Sequence, residues 1–339
     1  MNAKIIVLFN HKGGVSKTTS TFNVGWKLAQ EGKRVLLVDG DPQCNLTGLV
    51  LGAENFEDYY TNTRTEHANI KDAVSMAFEG KPQPIEAIEC PQAVNNENLY
   101  LIPGHMDLSE YEPALSLSLN SNNAYTTLQN LPGAFYRLIE CCVDRYQIDY
   151  VFIDMNPGLS SLNQVFFMMS DGFIVPTNPD VFSIMALRTI KKVLPRWKRQ
   201  AIDFAQMFAD ASYPFPRARM LFLGEIIQRF NLRRGVAAGP YRKRISEIKR
   251  FVGKELLPTF KTEGMIPEAL SAGTESVCCI AEISEFGALQ QKSQEARRPV
   301  FDLTKEQLGA GIVGETNEMS RQRFDALFKK VADRIQNCL

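Results

Sequence analysis

At residues 5–19 the sequence reads IIVLFNHKGGVSKTT. The first five residues are all apolar, as expected for a short strand that is buried on both faces of a parallel sheet. A glycine pair follows, then a lysine and two threonines that open a helical stretch over residues 18–30. A strand, a glycine-rich turn and a helix N-terminus in this order predict a loop that binds phosphate.

The loop contains the groups that a nucleoside triphosphate and its magnesium ion require. Gly13 and Gly14 let backbone N–H groups approach phosphate oxygens, Lys17 supplies positive charge, and the Thr18 hydroxyl is a magnesium ligand. The standard pattern G-x-x-x-x-G-K-S/T is not met, because His11 and Ser16 stand at its two glycine positions. The sequence has the variant K-G-G-x-x-K-S/T instead. The predicted nucleotide-binding residues of the loop are Lys12, Gly13, Gly14, Val15, Ser16, Lys17, Thr18 and Thr19.

Two later apolar runs end in carboxylates. Residues 35–38 form a second predicted strand, which leads into the segment VDGDPQCNLT at residues 38–47 with Asp39 and Asp41. Residues 150–158 read YVFIDMNPG, in which three apolar residues precede Asp154. A carboxylate at the end of such a strand binds Mg²⁺ directly or through water.

Apolar strand-like runs alternate with helical stretches along most of the chain, for example at residues 99–102, 150–153, 173–175 and 220–227. This alternation predicts an α/β fold with a doubly wound, mostly parallel sheet flanked by helices. We expect one P-loop ATPase domain over residues 1–339, with a basic and partly inserted region at 196–262 inside it. No window of about 18 uninterrupted apolar residues is present, so a membrane span is not expected.

The sequence resembles the ParA/MinD group of deviant Walker A ATPases, and the ParA branch in particular. Lys12 stands where that group has a signature lysine, and the resemblance implies that it reaches the partner's ATP in a nucleotide-sandwich homodimer. Residues 39–47 resemble the segment D-x-D-P-Q-x-N-x-T, which implies that Asp41 orients the attacking water and that Asp39 lies beside the Mg²⁺ region. The family's D-T-P-P segment is altered here, since Asn156 replaces the first proline and Gly158 follows Pro157.

Weaker similarities extend to the part of the site that would hold the base. Gln228 stands where the family has an asparagine that contacts adenine, and residues 265–267, with Pro267, resemble the loop that flanks the base. The implied cofactors are ATP and Mg²⁺. The implied catalytic residues are Lys12, Lys17 and Asp41, and the implied metal ligands are Thr18, Asp39 and Asp154.

The net charge of zero hides an uneven distribution. Between residues 188 and 254 there are 17 Lys/Arg and 4 Asp/Glu, so the rest of the chain is correspondingly acidic. A basic block of this kind predicts non-specific contacts with DNA phosphates. The alternative interpretation is that these residues form a solvated face or a protein interface. The candidate DNA-binding residues are Arg196, Lys198, Arg199, Arg233, Arg234, Arg242, Lys243, Arg244, Lys249 and Arg250.

Three function classes remain open. The first is a ParA-like ATPase switch that dimerises with ATP, binds DNA non-specifically and positions cargo, with a ParB-like activator as partner. The second is the same switch acting on a protein or membrane partner, and the third is an ATP-dependent amidase or synthetase on this scaffold. A C-terminal amphipathic helix, with Phe324 and Phe328, is expected to pack on the sheet rather than on a membrane. Seven cysteines without a paired spacing favour a cytoplasmic chain with reduced thiols.

Overall fold

A computed structural model describes residues 3–120, 126–233, 235–270 and 278–339. It contains an eight-stranded sheet in the order β10-β7-β6-β1-β5-β2-β4-β3, in which only β3 is antiparallel to its neighbour. The strands are β1 (Lys4–Leu8), β2 (Val35–Gly40), β3 (Gln92–Ala93), β4 (Asn96–Ile102), β5 (Tyr150–Met155), β6 (Gly172–Thr177), β7 (Leu221–Gln228) and β10 (Cys279–Ile283). A separate two-stranded hairpin joins β8 (Leu232–Arg233) to β9 (Val236–Ala237). The predicted doubly wound, mostly parallel α/β fold is confirmed.

Successive side chains of the central strands point to opposite faces of the sheet, so the protein has two hydrophobic cores, one on each face. In β1, Ile5 and Val7 enter one core, whereas Ile6 and Leu8 enter the other. Both faces are apolar because helices cover both, which is the reason for the uninterrupted apolar run.

On one face lie α1 (Lys17–Gln30), α2 (Asn45–Leu51), α11 (Ala288–Ala296), α12 (Lys305–Leu308) and α13 (Gly311–Cys338). The other face is covered by α4 (Ile70–Phe78), α5 (Glu112–Asn120), α6 (Leu131–Tyr146), α7 (Ser161–Met168), α8 (Val181–Met207), α9 (Gly239–Phe251) and α10 (Leu257–Thr262). The short α3 (Ala53–Thr61) follows α2 and has no fully buried residue.

Residues 196–262 are only partly an addition to the sheet and its helices. They include the second half of the 27-residue α8 and all of β7, whose eight residues are buried inside the sheet. The hairpin and α9 follow β7, and the π-helical turn at Val252–Leu256 buries Val252 and Leu256 in the core. The basic block therefore lies partly on the long α8 and partly on α9.

The C-terminal helix α13 places Phe324, Phe328, Val331 and Ile335 in the core against α1 and β10. Its apolar stripe is therefore used in packing, as expected. Within the described ranges, every helix is too short or too polar to cross a membrane.

Candidate nucleotide-binding site

The predicted phosphate loop borders a cleft of about 1360 Å³ at the carboxyl ends of the parallel strands. Strand β1 lies between β5 and β6, so the connections on its two sides leave the sheet toward opposite faces. A crevice at such a point is where open α/β sheets bind ligands. Residues 13–19 and Asp41 all line the cleft, as the sequence predicts for a nucleotide site.

The loop is held in an unusual backbone shape that frees its N–H groups. Gly14 has a φ of 71°, which suits glycine, and Ser16 adopts a left-handed conformation with φ 58° immediately before α1. Asn10 ties the start of the loop to the sheet, because its Nδ2 donates to the Pro176 carbonyl over 2.8 Å. Its Oδ1 accepts from the Lys12 N–H over 3.0 Å. The loop is therefore preorganised around the N-terminus of α1.

Lys17 is almost completely buried beneath the loop. Its Nζ donates to the Asn10 carbonyl over 3.0 Å and to the Lys12 carbonyl over 3.4 Å. Burial lowers the pKa of the ammonium, whereas the nearby carboxylates of Asp154 and Asp41 oppose that change. The ammonium thus lies under the concave side of the loop, where a phosphate oxygen would meet it.

Asp39 and Asp154 are neighbours in register across β2 and β5, and both are fully buried. Asp39 has partners: its Oδ2 accepts from the Thr47 N–H over 2.8 Å and from the Thr47 hydroxyl over 2.7 Å. Burial still raises the pKa of Asp39 to about 6. Burial, and secondly the charge of Asp39, raise the pKa of Asp154 to about 8.

Neither carboxylate oxygen of Asp154 has a hydrogen-bond partner among the described residues. A buried carboxylate without a partner is costly unless a cation or a proton neutralises it. Carboxylate and hydroxyl oxygens are the ligand types that Mg²⁺ takes, and Thr18 lines the adjacent cleft. The donor set at Thr18 and Asp154 therefore fits a magnesium ion.

Asp41 lies at the wall of the cleft rather than beneath it. Its Oδ1 accepts from the Gln43 N–H over 2.9 Å, which fixes the carboxylate in a turn. The residue lines the cleft and remains 6% exposed. This placement suits a group that binds a water molecule beside the phosphates.

Lys12 is not among the residues that line the cleft. Its ammonium is paired with the carboxylate of Asp180 and lies 3.4 Å from the Ser183 hydroxyl, at the start of α8. Asp180 also caps that helix, since its Oδ1 accepts from the Ser183 N–H over 2.8 Å. Hydrogen bonds from Lys12 and Ser183 outweigh the effect of burial and lower the pKa of Asp180.

The structure places the two residues expected near the base differently. Gln228 borders the cleft, but its carboxamide is already occupied: Oε1 accepts from the Ser20 hydroxyl over 2.8 Å, and Nε2 donates to the Val15 carbonyl over 3.2 Å. Gln228 thus braces the phosphate loop against α1. Pro267 is buried in the loop after α10 and is not part of the cleft wall. Strand β7 lies between β6 and β10, and residues 284–287 after β10 also line the cleft.

Two polar groups that the sequence analysis missed contact the phosphate loop. Arg229 Nη1 and Asn178 Nδ2 both donate to the Gly14 carbonyl over 3.0 Å. Both residues follow the ends of sheet strands, which is the only sequence signal that could have identified them. On α11, Gln290 and Gln294 are exposed on the same helix face and also line the cleft.

The structure separates the basic residues into two groups. In the first group each cation already has a partner within the chain. The pairs are Arg244 with Glu247, Lys249 with Glu282, Arg199 with Glu263, and Lys198 with the Gly264 carbonyl. Arg196, Arg233, Arg242, Lys243 and Arg250 are exposed and make no ion pair with the described residues. Arg234 lies outside the described residues. The exposed Lys192 on α8, four residues before Arg196, was not predicted and belongs to the same surface.

Comparisons with known proteins agree with this geometry. A family model described as an AAA domain matches residues 3–204, which is more than half of the chain. The virulence plasmid ParA family protein pGP5-D of Chlamydia psittaci is 31% identical over 194 residues, or 56% of this chain and 62% of that protein. The chain spans only 54–62% of the length of the first curated relatives that it matches.

Two solved structures share the fold over nearly the whole chain. A complex of Cyanothece McdA with ATP has a TM-score of 0.60 and 15% identity, and the match covers 99% of this chain and 97% of that one. The structure of pNOB8 ParA bound to nonspecific DNA has a TM-score of 0.54 and 18% identity, with 99% and 100% covered.

Proposed function

The chain belongs to the ParA/MinD-type P-loop ATPases, and from this premise we propose that it is an ATP-dependent dimerising switch with slow hydrolysis. The observation that carries the proposal is the buried carboxylate of Asp154, whose oxygens make no hydrogen bond within 3.5 Å to the described residues but lie close enough to Thr18 and Lys17 of the phosphate loop for both to lower its pKa. Such a carboxylate is stable only when a proton or a cation neutralises it, and the cleft beside the loop has the volume and the N–H groups for a nucleotide with its magnesium ion. The substrate is therefore ATP, hydrolysed to ADP and phosphate.

Each residue of the site has one role in phosphoryl transfer, which depends mainly on positioning the reacting groups and stabilising their charge. Lys17 and the loop N–H groups bind the phosphates, while Thr18 and Asp154 hold Mg²⁺, with Asp39 beside them. When bound, Mg²⁺ neutralises negative charge that develops on the phosphate oxygens. Asp41 orients the attacking water through the oxygen that does not accept from Gln43.

Lys12 completes the site of a second copy of the chain. Its ammonium is paired with Asp180 at the start of α8, outside the cleft of its own protomer, and would leave this pair to reach the site of the second copy. Phe182 and Met185, on the first turns of α8, are 63% and 61% exposed next to it. An exposed apolar pair beside a functional lysine is the surface that a homodimer would cover. A lysine supplied in trans stabilises transferring charge as an arginine finger does.

The dimer would bind DNA through the exposed basic side chains of α8, α9 and the hairpin. Structural neighbours support this assignment: one is a ParA bound to nonspecific DNA, and another is an ATP complex. Two copies of the surface in one dimer bind more tightly than one copy. The biological role that follows is partition or positioning of DNA or another cargo, with a ParB-like protein as activator.

Mixing two inactive variants tests the proposal. Lys12→Ala and Asp41→Ala should each bind ATP and lose hydrolysis when assayed alone. In a 1:1 mixture, the Lys12→Ala protomer keeps Asp41 and receives Lys12 from its partner, so one site of each mixed dimer works. Activity should recover to about a quarter of the wild-type rate, since half of the dimers are mixed. No recovery in the mixture, with mixed dimers verified by differential tags, would contradict a lysine acting in trans.

A further inference from the structure

A second cavity, of about 520 Å³, lies between the hairpin, α9, β10 and α13, apart from the nucleotide cleft. Apolar side chains form its floor, including Phe230, Leu232, Ile245 and Leu327. Val236 at its rim is 55% exposed. A concave apolar site of this size, with a few polar groups around it, is typical of a binding site.

The rim of this cavity carries uncompensated positive charge. Lys249 lines it, but Lys249 is paired with Glu282, which also lines it. Arg242 and Arg323 have no carboxylate partner among the described residues. The guanidinium of Arg323 lies over the Phe324 ring at 4.8 Å and donates to the Ser284 hydroxyl over 2.8 Å. The cavity therefore suits an occupant that is both apolar and anionic.

The cavity and the nucleotide cleft share one wall. The backbone N–H of Arg229 donates to the Ile283 carbonyl, and that of Glu285 donates to the Phe230 carbonyl, both over 3.1 Å. Arg229 and Glu285 face the cleft, Phe230 faces the cavity, and Ser284 lines both. A group that displaces Arg323 or Ser284 thus acts on the two strand ends that border the nucleotide site.

We propose that this cavity binds an acidic, apolar peptide segment of a partner protein and that its occupancy changes nucleotide binding in the cleft. A peptide fits better than nucleic acid, because apolar side chains of a peptide can fill the apolar floor and phosphates cannot. Leucine or phenylalanine side chains would fill the floor, and flanking carboxylates would pair with Arg242 and Arg323. Peptide binding stands independently of the proposed function, whereas its effect on ATP depends on that function.

Synthetic fluorescein-labelled nonapeptides test the site by fluorescence anisotropy. One carries four Asp/Glu with Leu and Phe between them, a second replaces Leu and Phe by Ser, and a third replaces Asp/Glu by Lys. Only the first should bind the full chain. Arg323→Glu and Leu327→Asp should each weaken it at least tenfold, about 1.4 kcal/mol, whereas Lys330→Glu, an exposed charge elsewhere on α13, should not. Arg323→Gln should weaken it less than Arg323→Glu.

Hydrogen exchange of the wild-type chain gives a readout that needs no variant. The first peptide should slow exchange at residues 230–237 and 283–286, and ATP affinity should shift when it is present. Absence of binding up to about 1 mM, or equal binding of the serine peptide, would overturn the proposal. If random-sequence duplex displaces the peptide and Arg323→Glu weakens both ligands equally, the cavity belongs to a nucleic-acid surface instead. Binding of the peptide without any ATPase activity would reject the proposed function alone.

Discussion

The ammonium of Lys12 is paired with the carboxylate of Asp180 in the same chain, and that carboxylate also caps α8. One side chain therefore fixes both the signature lysine and the start of the helix that exposes Phe182 and Met185. In the dimer proposed above, Lys12 has to leave Asp180 before it can reach the nucleotide of the other protomer. Under that proposal the ion pair opposes dimerisation by the amount of its own free energy.

Removing the charge of Asp180 while keeping its cap should release Lys12. Asp180→Asn preserves a side-chain oxygen that accepts from the Ser183 N–H, because asparagine caps helices as well as aspartate. The partly exposed ion pair contributes about 1 kcal/mol at most. A symmetric dimer releases Lys12 in both protomers, so we expect ATP-dependent dimerisation at up to about thirtyfold lower protein concentration, measured by light scattering with ATP and Mg²⁺.

Asp180→Ala serves as the matched comparison. It releases Lys12 as well but removes the cap, which should lower the free energy of unfolding by about 1 kcal/mol. Dimerisation should strengthen in both variants, while the melting temperature should fall mainly in the alanine variant. Weaker dimerisation of Asp180→Asn than of the wild type would show that Asp180 supports the interface rather than restraining Lys12.

The phosphate loop could be predicted from sequence because its chemistry lies in one continuous segment between a strand and a helix. Asp39 and Asp154 could be predicted for a similar reason, since both end apolar strands whose carboxyl ends meet at one edge. The residues that would surround the base could not be predicted in this way. On its outer side β7 pairs with β10, a short strand that includes the charged Glu282 and shifts register between Cys279 and Ala281, and its position depends on long-range pairing that local periodicity does not encode. For the same reason the ion pair between Lys249 and Glu282, which are 33 residues apart, could not be predicted from the sequence.

Substitution of Asp154 should separate stability from metal binding. Asp154→Asn removes a buried, unpartnered carboxylate, so the ligand-free chain should be as stable as the wild type or more stable. The variant also loses a magnesium ligand. For the wild type at 100 times the dissociation constant, Mg²⁺–ATP should add about 2.7 kcal/mol to the free energy of unfolding. Most of that increment should vanish in Asp154→Asn, measured by thermal melts with Mg²⁺–ATP and with EDTA.

Asp107→Asn, a surface change, should keep the full stabilisation by Mg²⁺–ATP. A full Mg²⁺–ATP shift in Asp154→Asn would exclude Asp154 as a ligand.

Glu225 should make stability depend on pH. It is fully buried in β7, both of its oxygens lack partners among the described residues, and Lys249, Glu282 and Cys279 surround it. Burial raises the pKa of Glu225 from 4.5 to about 8, with Lys249 opposing the shift. The native state therefore keeps its proton between these values, whereas the unfolded chain loses it. The stabilisation is complete below pH 4.5 and is lost as the pH rises to about 8.

Glu225→Gln should flatten this dependence by up to about 1.4 kcal/mol per pH unit, and the variant should gain stability relative to the wild type near pH 8. Urea denaturation at several pH values between 5 and 9 measures the slope. Glu247→Gln, a surface change on α9, should leave the slope as it is in the wild type. An unchanged slope in Glu225→Gln would show that this carboxyl does not retain its proton in the folded chain.

DNA affinity should depend on the exposed cations and not on the paired ones. Arg233, Lys243 and Arg250 are exposed without ion pairs to the described residues, whereas Arg244 and Arg199 are bound to Glu247 and Glu263. Each phosphate contact releases about 0.9 counterion, and the dimer carries two copies of each side chain, so a triple alanine variant of the first three should reduce the slope of log affinity against log salt by up to about five. Alanine at both Arg244 and Arg199 should change the slope by less than about one. Titration of a random-sequence duplex with ATP and Mg²⁺ between about 50 and 200 mM salt measures both slopes.

Equal slopes for the two variants would place the DNA contacts elsewhere on the chain. Failure of the wild type to bind at low salt would instead favour a switch that acts on a protein partner, because the exposed cations would then have no phosphates to neutralise.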